Sequence, residues 1–275
     1  MAGLTPPAPG SGAAGAPLRP VGAQAEDAGQ VIVSYPKTGR TWLRALLGKA
    51  LVDHYRLPPD LLLDTRVVTA LAGLPMTSFL HDDGGMMRAL TWDRITRDKS
   101  AYAGKRVLLL ARDVRDTLVS AYFQATRRIG VFDGPISAFV RDDRFGARKV
   151  AAFYRAWYDA RHVPAALLFM RYEAIHDDPA AALRRTLAFL GARDVPAPVI
   201  AAAVEFSRFE NLRRAEADGR YPGPILRAEG SQDPDGFKVR RGKVGGFREY
   251  LSDDDVAFID ARVAESGCPF ISPAR

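Results

Sequence analysis

Residues 31–55, VIVSYPKTGRTWLRALLGKALVDHY, decide the fold. VIVSY is a short, β-branched apolar run of a length that suits one buried strand. PKTGRT breaks that pattern with Pro36 and Gly39 and brings two hydroxyls and two cations to one place. From Thr41 onward, Trp42, Leu46, Leu47, Ala50, Leu51 and Tyr55 recur at helical spacing, until Leu57-Pro58-Pro59 stops the helix. A strand, a tight turn and an amphipathic helix gather backbone N–H groups and a positive helix end at one point. That arrangement binds phosphate.

The stretch from Lys105 to Arg128, KRVLLLARDVRDTLVSAYFQATRR, repeats the plan. VLLLA is the continuous apolar run of a strand buried on both faces. Arg112-Asp113-Val114-Arg115-Asp116 leads into a helix with Leu118, Tyr122, Ala125 and Ile129 on one face. Two such units predict an α/β fold, a single domain with a central parallel β-sheet flanked by helices. Between them, residues 60–75 suit a short helix ending near Gly73. Residues 76–90 suit a strand end and a Gly-Gly loop, with His81 where the apolar character gives out.

Further on, residues 146–162 predict a helix that turns Val150, Phe153, Tyr154, Trp157 and Tyr158 inward, and AALLFMRYE a buried strand. Asp178-Pro179 reads as an N-cap with proline at the first helical position, opening a helix that ends at Gly191. Another helix is expected across 197–207. Residues 213–245, rich in Arg, Gly and Pro, read as a long functional loop. Ser252 and Asp255 mark the last helix with an approximate capping box, Asp standing for the usual Glu, and Gly267 terminates it. The Ala-, Gly- and Pro-rich residues 1–28 read as a disordered leader, which leaves 29–275 as the domain.

Composition narrows the function classes. A chain of 275 residues that is 47% hydrophobic can bury a full core. No apolar run approaches the roughly 20 residues of a membrane span. The formal charge of +7 points to an anionic partner without choosing one. Cys268 is the only cysteine, which rules out an internal disulfide and fits a reducing, cytoplasmic setting. The aromatics fall in helical core patterns rather than on a basic strip, which argues against a nucleic-acid partner.

PKTGRTW is not a Walker A loop, because Lys37 precedes Gly39 instead of following the second glycine. Tyr35-Pro36-Lys37-Thr38-Gly39-Arg40-Thr41-Trp42 instead resembles the Y-P-K-[ST]-G-[TN]-T-W loop of the cytosolic-type sulfotransferases, with Arg40 departing at the variable position. That family uses 3′-phosphoadenosine 5′-phosphosulfate (PAPS) as sulfuryl donor. Arg112, Asp116 and Ser120 match its R-x-x-x-D-x-x-x-S helix start. Arg240, Arg241, Gly242, Phe247 and Arg248 resemble its R-K-G turn and the G-x-[WF]-[KR] that follows, with Arg241 in place of lysine. The resemblance spans about residues 31–270 and implies a P-loop NTPase-like sulfotransferase fold.

By that resemblance Lys37, Thr38, Gly39, Arg40 and Thr41 hold the 5′-phosphosulfate. Arg112, Ser120, Arg240, Arg241 and Gly242 hold the 3′-phosphate, and Trp42, Tyr172, Ser207 and Phe209 the adenine. Sulfuryl transfer asks the protein for in-line positioning and charge stabilisation, with no metal required. Lys37 would act on the leaving phosphate and His81 would be the general base, although the lysine that the family often carries two residues before that histidine is missing here. Asp82 would orient the imidazole, or Asp82 or Asp83 would itself serve as base. The acceptor is a small molecule with a hydroxyl, or an amine. Phe79, Met86, Met87, Trp92, Phe145 and Tyr221 suggest an apolar one, and Arg213, Arg214, Arg220 and Arg227 an acidic one. The chain would act as a monomer or homodimer. The competing reading is a P-loop kinase-like phosphotransferase.

Overall fold

A computed structural model describes residues 28–221, 225–226 and 237–272. Four strands, β1 (Gln30–Ser34), β2 (Thr77–Leu80), β3 (Arg106–Ala111) and β4 (Ala166–Arg171), form one sheet in the order β2-β1-β3-β4, and every pairing is parallel. The α/β expectation holds. In register, Val33 faces Leu80, Ser34 faces Leu110 and Ala111 faces Arg171.

Alternation along the strands divides the core in two. Val31, Val33, Val107 and Leu109 point to one face, where they meet α3 (Val114–Phe123), α5 (Ala147–Asp159) and α10 (Asp253–Ser266). Ile32, Leu108 and Leu110 point to the other, against α1 (Arg40–Tyr55), α7 (Pro179–Leu190) and α8 (Ala197–Phe206). The central strands β1 and β3 are buried on both faces, so they read as largely apolar runs rather than alternating ones. Two shorter helices, α2 (Thr65–Leu71) and α4 (Ile136–Arg141), complete this part of the chain.

Most of the expected elements are present, the 60–75 helix being confined to Thr65–Leu71 and the helix Ile136–Arg141 being additional. AALLFMRYE does not stay extended: Tyr172 and Glu173 open a short helix, α6 (Tyr172–Asp177), and Glu173 accepts the Asp113 N–H at 2.8 Å, tying the ends of β3 and β4 together. The start of the expected 213–245 loop is helical, within α9 (Phe209–Ala217). Leu212, Ala215 and Glu216 make a buried stripe there that the surrounding arginines conceal in the sequence. The box at Ser252 is complete: Ser252 Oγ accepts the Asp255 N–H and the Asp255 carboxylate accepts the Ser252 N–H. Asp178 caps α7 through the Ala181 N–H, as expected.

Because all four strands run the same way, their carboxyl ends lie along one edge of the sheet. Lys37 follows β1, His81 follows β2, Arg112 follows β3 and Tyr172 follows β4. The topology therefore delivers four residues from distant parts of the sequence to the place where open α/β sheets bind ligands.

Candidate active site

A cavity of about 850 Å³ opens at that edge. Of the residues that the sequence singles out, Lys37, Gly39, Arg40, Thr41, Trp42, His81, Arg112, Ser120, Tyr172, Ser207, Phe209, Arg240, Arg241 and Gly242 all line it. Thr38 does not. It lies under the loop, fully buried, and its hydroxyl donates to Tyr35 O at 2.9 Å, so the side chain shapes the turn.

The loop after β1 is held in an unusual shape. Lys37 has φ 70° and Gly39 φ 92°, two left-handed residues in three. A Cβ at Gly39 would stand 2.4 Å from the Tyr172 ring, so only glycine lets α1 begin this close to β4. Lys37 Nζ donates to Gln124 Oε1 at 3.2 Å. Burial pushes the Lys37 ammonium down to about 7, helped by Lys238, Arg128 and Arg112 and opposed by Glu216.

Arg112 is built in from several sides. One guanidinium nitrogen donates to Lys243 O at 2.8 Å and another to Lys37 O at 3.4 Å, while the plane lies 4.4 Å over the Tyr172 ring. Its Nε is buried with no partner among the described residues. Asp116 lies 3.7 Å away and does more than pair with it. Its two oxygens accept the N–H groups of Gly245 at 2.7 Å and Phe247 at 2.9 Å, which pins the basic C-terminal turn onto α3. Tyr172 fastens the same turn from the other side, its hydroxyl donating to Gly242 O at 3.2 Å. At Gly242, with φ 64°, a Cβ would meet the Phe209 ring at 2.8 Å. Arg240 reaches the Tyr250 hydroxyl at 2.9 Å, and exposed Arg241 pairs with Glu249.

Trp42 and Tyr172 stand edge to face at 5.5 Å, an aromatic wall beside Arg112. Phe209 is half-buried against the Gly242 turn. Ser207 is buried, its hydroxyl donating to Val204 O at the end of α8.

His81 sits at the opposite end. Its Nδ1 lies 2.9 Å from Ser34 O. A carbonyl oxygen only accepts, so Nδ1 carries the proton and Nε2 keeps its lone pair. Burial pulls the imidazole well below its ordinary value, with Arg40 the strongest charge acting in the same direction. The ring is therefore neutral near pH 7, the form a base needs. Asp82 does not orient it. The Asp82 carboxylate accepts from Lys99 at 2.7 Å, Tyr102 at 3.1 Å and Trp157 at 3.2 Å, a buried cluster that fixes the backbone just past the histidine, where Asp82 itself has φ 48°. Asp83 is likewise engaged, accepting the Thr96 N–H at 2.9 Å.

Some of the wall escapes the sequence reading. Gln124 and Arg128 reach the cavity from a π-helical turn, Gln124–Arg128, that extends α3. Glu216, fully buried, accepts from Arg128 at 3.2 Å and from the N–H groups of Lys238 and Val239. No pattern in the sequence marks a π turn or couples Glu216 to residues 238–239. Of the candidate acceptor contacts, Phe79, Met86 and Met87 line the cavity. Phe145 is core, stacked on Phe139 at 5.8 Å, Trp92 is exposed, and Tyr221 packs on Phe206. Arg213, Arg214 and Arg220 do not line it, and Arg227 lies outside the described residues.

Among the described residues no group of three or more His, Cys, Asp or Glu is placed to hold a metal ion, and no helix is long and apolar enough to cross a membrane. Lys37, Arg40, Arg44, Arg88, Arg112, Arg128, Lys238, Arg240, Arg241 and Lys243 face Asp82, Asp116 and Glu210 around the wall. The cavity is built for polyanions.

Known proteins resemble the chain over most of its length. The family model for the sulfotransferase domain matches residues 28–266. Cytosolic sulfotransferase 17 of Arabidopsis thaliana is 25% identical over 270 residues, covering 88% of this chain and 75% of the relative. The structure of mouse sulfotransferase SULT7A1 complexed with PAP superposes with a TM-score of 0.60 at 18% identity, covering 90% of this chain and 88% of that one. Retinol dehydratase in complex with androsterone and inactive cofactor PAP gives 0.58 at 19% identity, covering 94% and 83%.

Proposed function

We propose, from the premise that the chain belongs to the sulfotransferase-domain family, that its cavity carries out PAPS-dependent transfer of a sulfuryl group to the hydroxyl, or amine, of a small-molecule acceptor. The observation that carries the assignment is the second basic cluster. Arg112, bonded to Lys243 O and beside Asp116, which grips the N–H groups of Gly245 and Phe247, joins the Arg240–Gly242 turn in a second set of cations that provides for a phosphate that ATP does not have. The residues fit the donor: the Arg112 Nε is buried without a partner, and Gly39 and Gly242 leave backbone where a Cβ would collide. The kinase-like reading accounts for neither the Lys37 position nor this cluster.

When bound, PAPS supplies the sulfuryl group and departs as adenosine 3′,5′-bisphosphate (PAP). Lys37, Gly39, Arg40 and Thr41 cradle the 5′ end, with Thr38 holding the turn beneath them. Arg112, Ser120, Arg240, Arg241 and the Gly242 turn take the 3′-phosphate. Trp42, Tyr172, Ser207 and Phe209 border the base. Lys37 Nζ offers a proton where negative charge builds, and its low proton affinity makes it a better acid than an ordinary lysine. His81 Nε2 takes the proton of the acceptor hydroxyl, steered by the Nδ1–H donated to Ser34 O. No metal has a part in this scheme, since charge stabilisation comes from the cations and N–H groups of the wall. The names of relatives support a cytosolic setting.

Thermal melts with PAP and with ATP, each with and without Mg²⁺, test the assignment. PAP alone should stabilise the protein and ATP should not. The reverse result would overturn it, and a PAPS-driven assay over phenols, alcohols, amines and sugars then identifies the acceptor.

A further inference from the structure

The first two turns of α1 carry Arg40 and Arg44, four residues apart and hence on one face. Both line the cavity, together with Phe79, His81, Met86 and Met87. The Arg44 guanidinium lies 4.3 Å over the Phe79 ring, and its Nε is buried without a hydrogen-bond partner. Neither arginine forms an ion pair among the described residues. The carboxylate that acts on Arg44, Asp64, is occupied as the N-cap of α2 through the Val67 N–H. Burial, with repulsion from Arg44, lowers the Arg40 guanidinium to about 9, and burial opposed by Asp64 lowers that of Arg44 to about 10.

Two like charges one turn apart, half out of water and unpaired, destabilise the folded protein. The other cations of the cavity are treated differently: Arg112, Arg240, Arg241 and Lys243 each have an acceptor or carboxylate. Arg40 and Arg44 flank His81 instead, and Arg40 is the strongest charge acting on it. Under the proposed reaction His81 marks where the acceptor hydroxyl lies, so the unpaired guanidiniums border the acceptor. The apolar neighbours Phe79, Met86 and Met87 suit a carbon body between the two polar ends.

We infer that the acceptor is a hydroxyl compound carrying a second, anionic group, a carboxylate or like oxyanion, received by Arg40 and Arg44 beside His81. This rests on the sulfotransferase reading. It assigns Arg40, the loop residue that departs from the resembled motif, to the acceptor as well as to the donor.

The probes are 3-(4-hydroxyphenyl)propanoate and its methyl amide, matched in shape and differing in charge. With PAPS, kcat/KM for the acid should exceed that for the amide by at least about tenfold, the discrimination expected of charge-assisted hydrogen bonds. Arg44→Gln and Arg40→Thr should each bring that ratio towards one, and a thermal melt of each variant reports whether it is folded. A wild-type ratio of one or below overturns the inference. So does an equal loss on both acceptors, which would mean that the arginines serve the sulfuryl group instead. Calorimetric titration of acid and amide into the PAP-saturated protein separates the two levels of argument. Tighter binding of the acid that Arg44→Gln removes upholds the inference even if neither probe is sulfated, and equal binding overturns it. Absence of PAP binding strikes at the sulfotransferase assignment itself.

Discussion

The two ends of the cavity are constructed on opposite principles. Around Arg112 the elements are cross-linked: Asp116 grips the backbone of Gly245 and Phe247, Tyr172 grips Gly242, and Arg112 donates to Lys243 O. Around His81 the imidazole is fixed through Ser34 O, but Arg40 and Arg44 beside it form no ion pair among the described residues. A rigid end is preorganised for one unvarying ligand, whereas an end with uncompensated charge waits for its ligand to complete it. Under the proposed function, the difference would separate a donor site from an acceptor site within one cavity.

Substitutions at each end should therefore fail differently. Lys37→Ala is expected to have the largest effect, lowering kcat by about a thousandfold or more in a PAPS-driven assay, because it removes the cation where charge develops. His81→Ala should lower kcat by about 10² to 10⁴-fold while PAP affinity in a titration stays within twofold or so of the parent. A parallel loss of PAP affinity would erase the distinction between the two ends. Asp116→Asn leaves one of two backbone N–H groups without its acceptor and should cost about 1–3 kcal/mol, read as a lower melting temperature together with weaker PAP binding. If PAP affinity does not change, the pinned turn is structural only.

The smallest effect is a proton. Free Lys37 titrates near 7, so at pH 8 it is largely neutral, and an anion beside it raises its affinity for a proton. PAP binding at pH 8 should then take up as much as about one proton, measured by calorimetry in buffers of different ionisation enthalpy. That uptake should fade below about pH 6, where the lysine is already charged, and vanish in Lys37→Ala. In the ligand-free protein the sign for stability follows from the same depression. Between about pH 7 and the ordinary lysine value the unfolded chain holds more protons than the folded one, so this group's contribution makes stability rise with pH across that window.

Much of the donor end was legible in advance because its determinants are local. A strand, a turn with Gly39 and a helix are contiguous, and Arg112, Asp116 and Ser120 are spaced by helical turns. The role of Asp116 was not legible. Its partners lie beyond residue 240, and only the fold brings them to α3. Asp82 looked from the sequence like a companion of His81, yet its carboxylate turns inward to Lys99, Tyr102 and Trp157, while the imidazole Nδ1–H is already given to Ser34 O. The helix at Phe209–Ala217 was hidden because only Leu212 and Ala215 of its buried stripe are apolar, set among Glu210, Asn211, Arg213 and Arg214.

By itself, then, the sequence determined the parallel α/β architecture, the glycine-containing turn after β1 and five of the cations on the cavity wall, Lys37, Arg40, Arg112, Arg240 and Arg241. These follow from periodicity, glycine placement and short spacings, which act within a few residues of one another. Tertiary structure alone decided which of those groups are satisfied and which are not. That Arg112 is clamped while Arg40 and Arg44 form no ion pair among the described residues depends on where residues far apart in the chain come to rest, and pairing across such separations leaves no mark in the local order of residues.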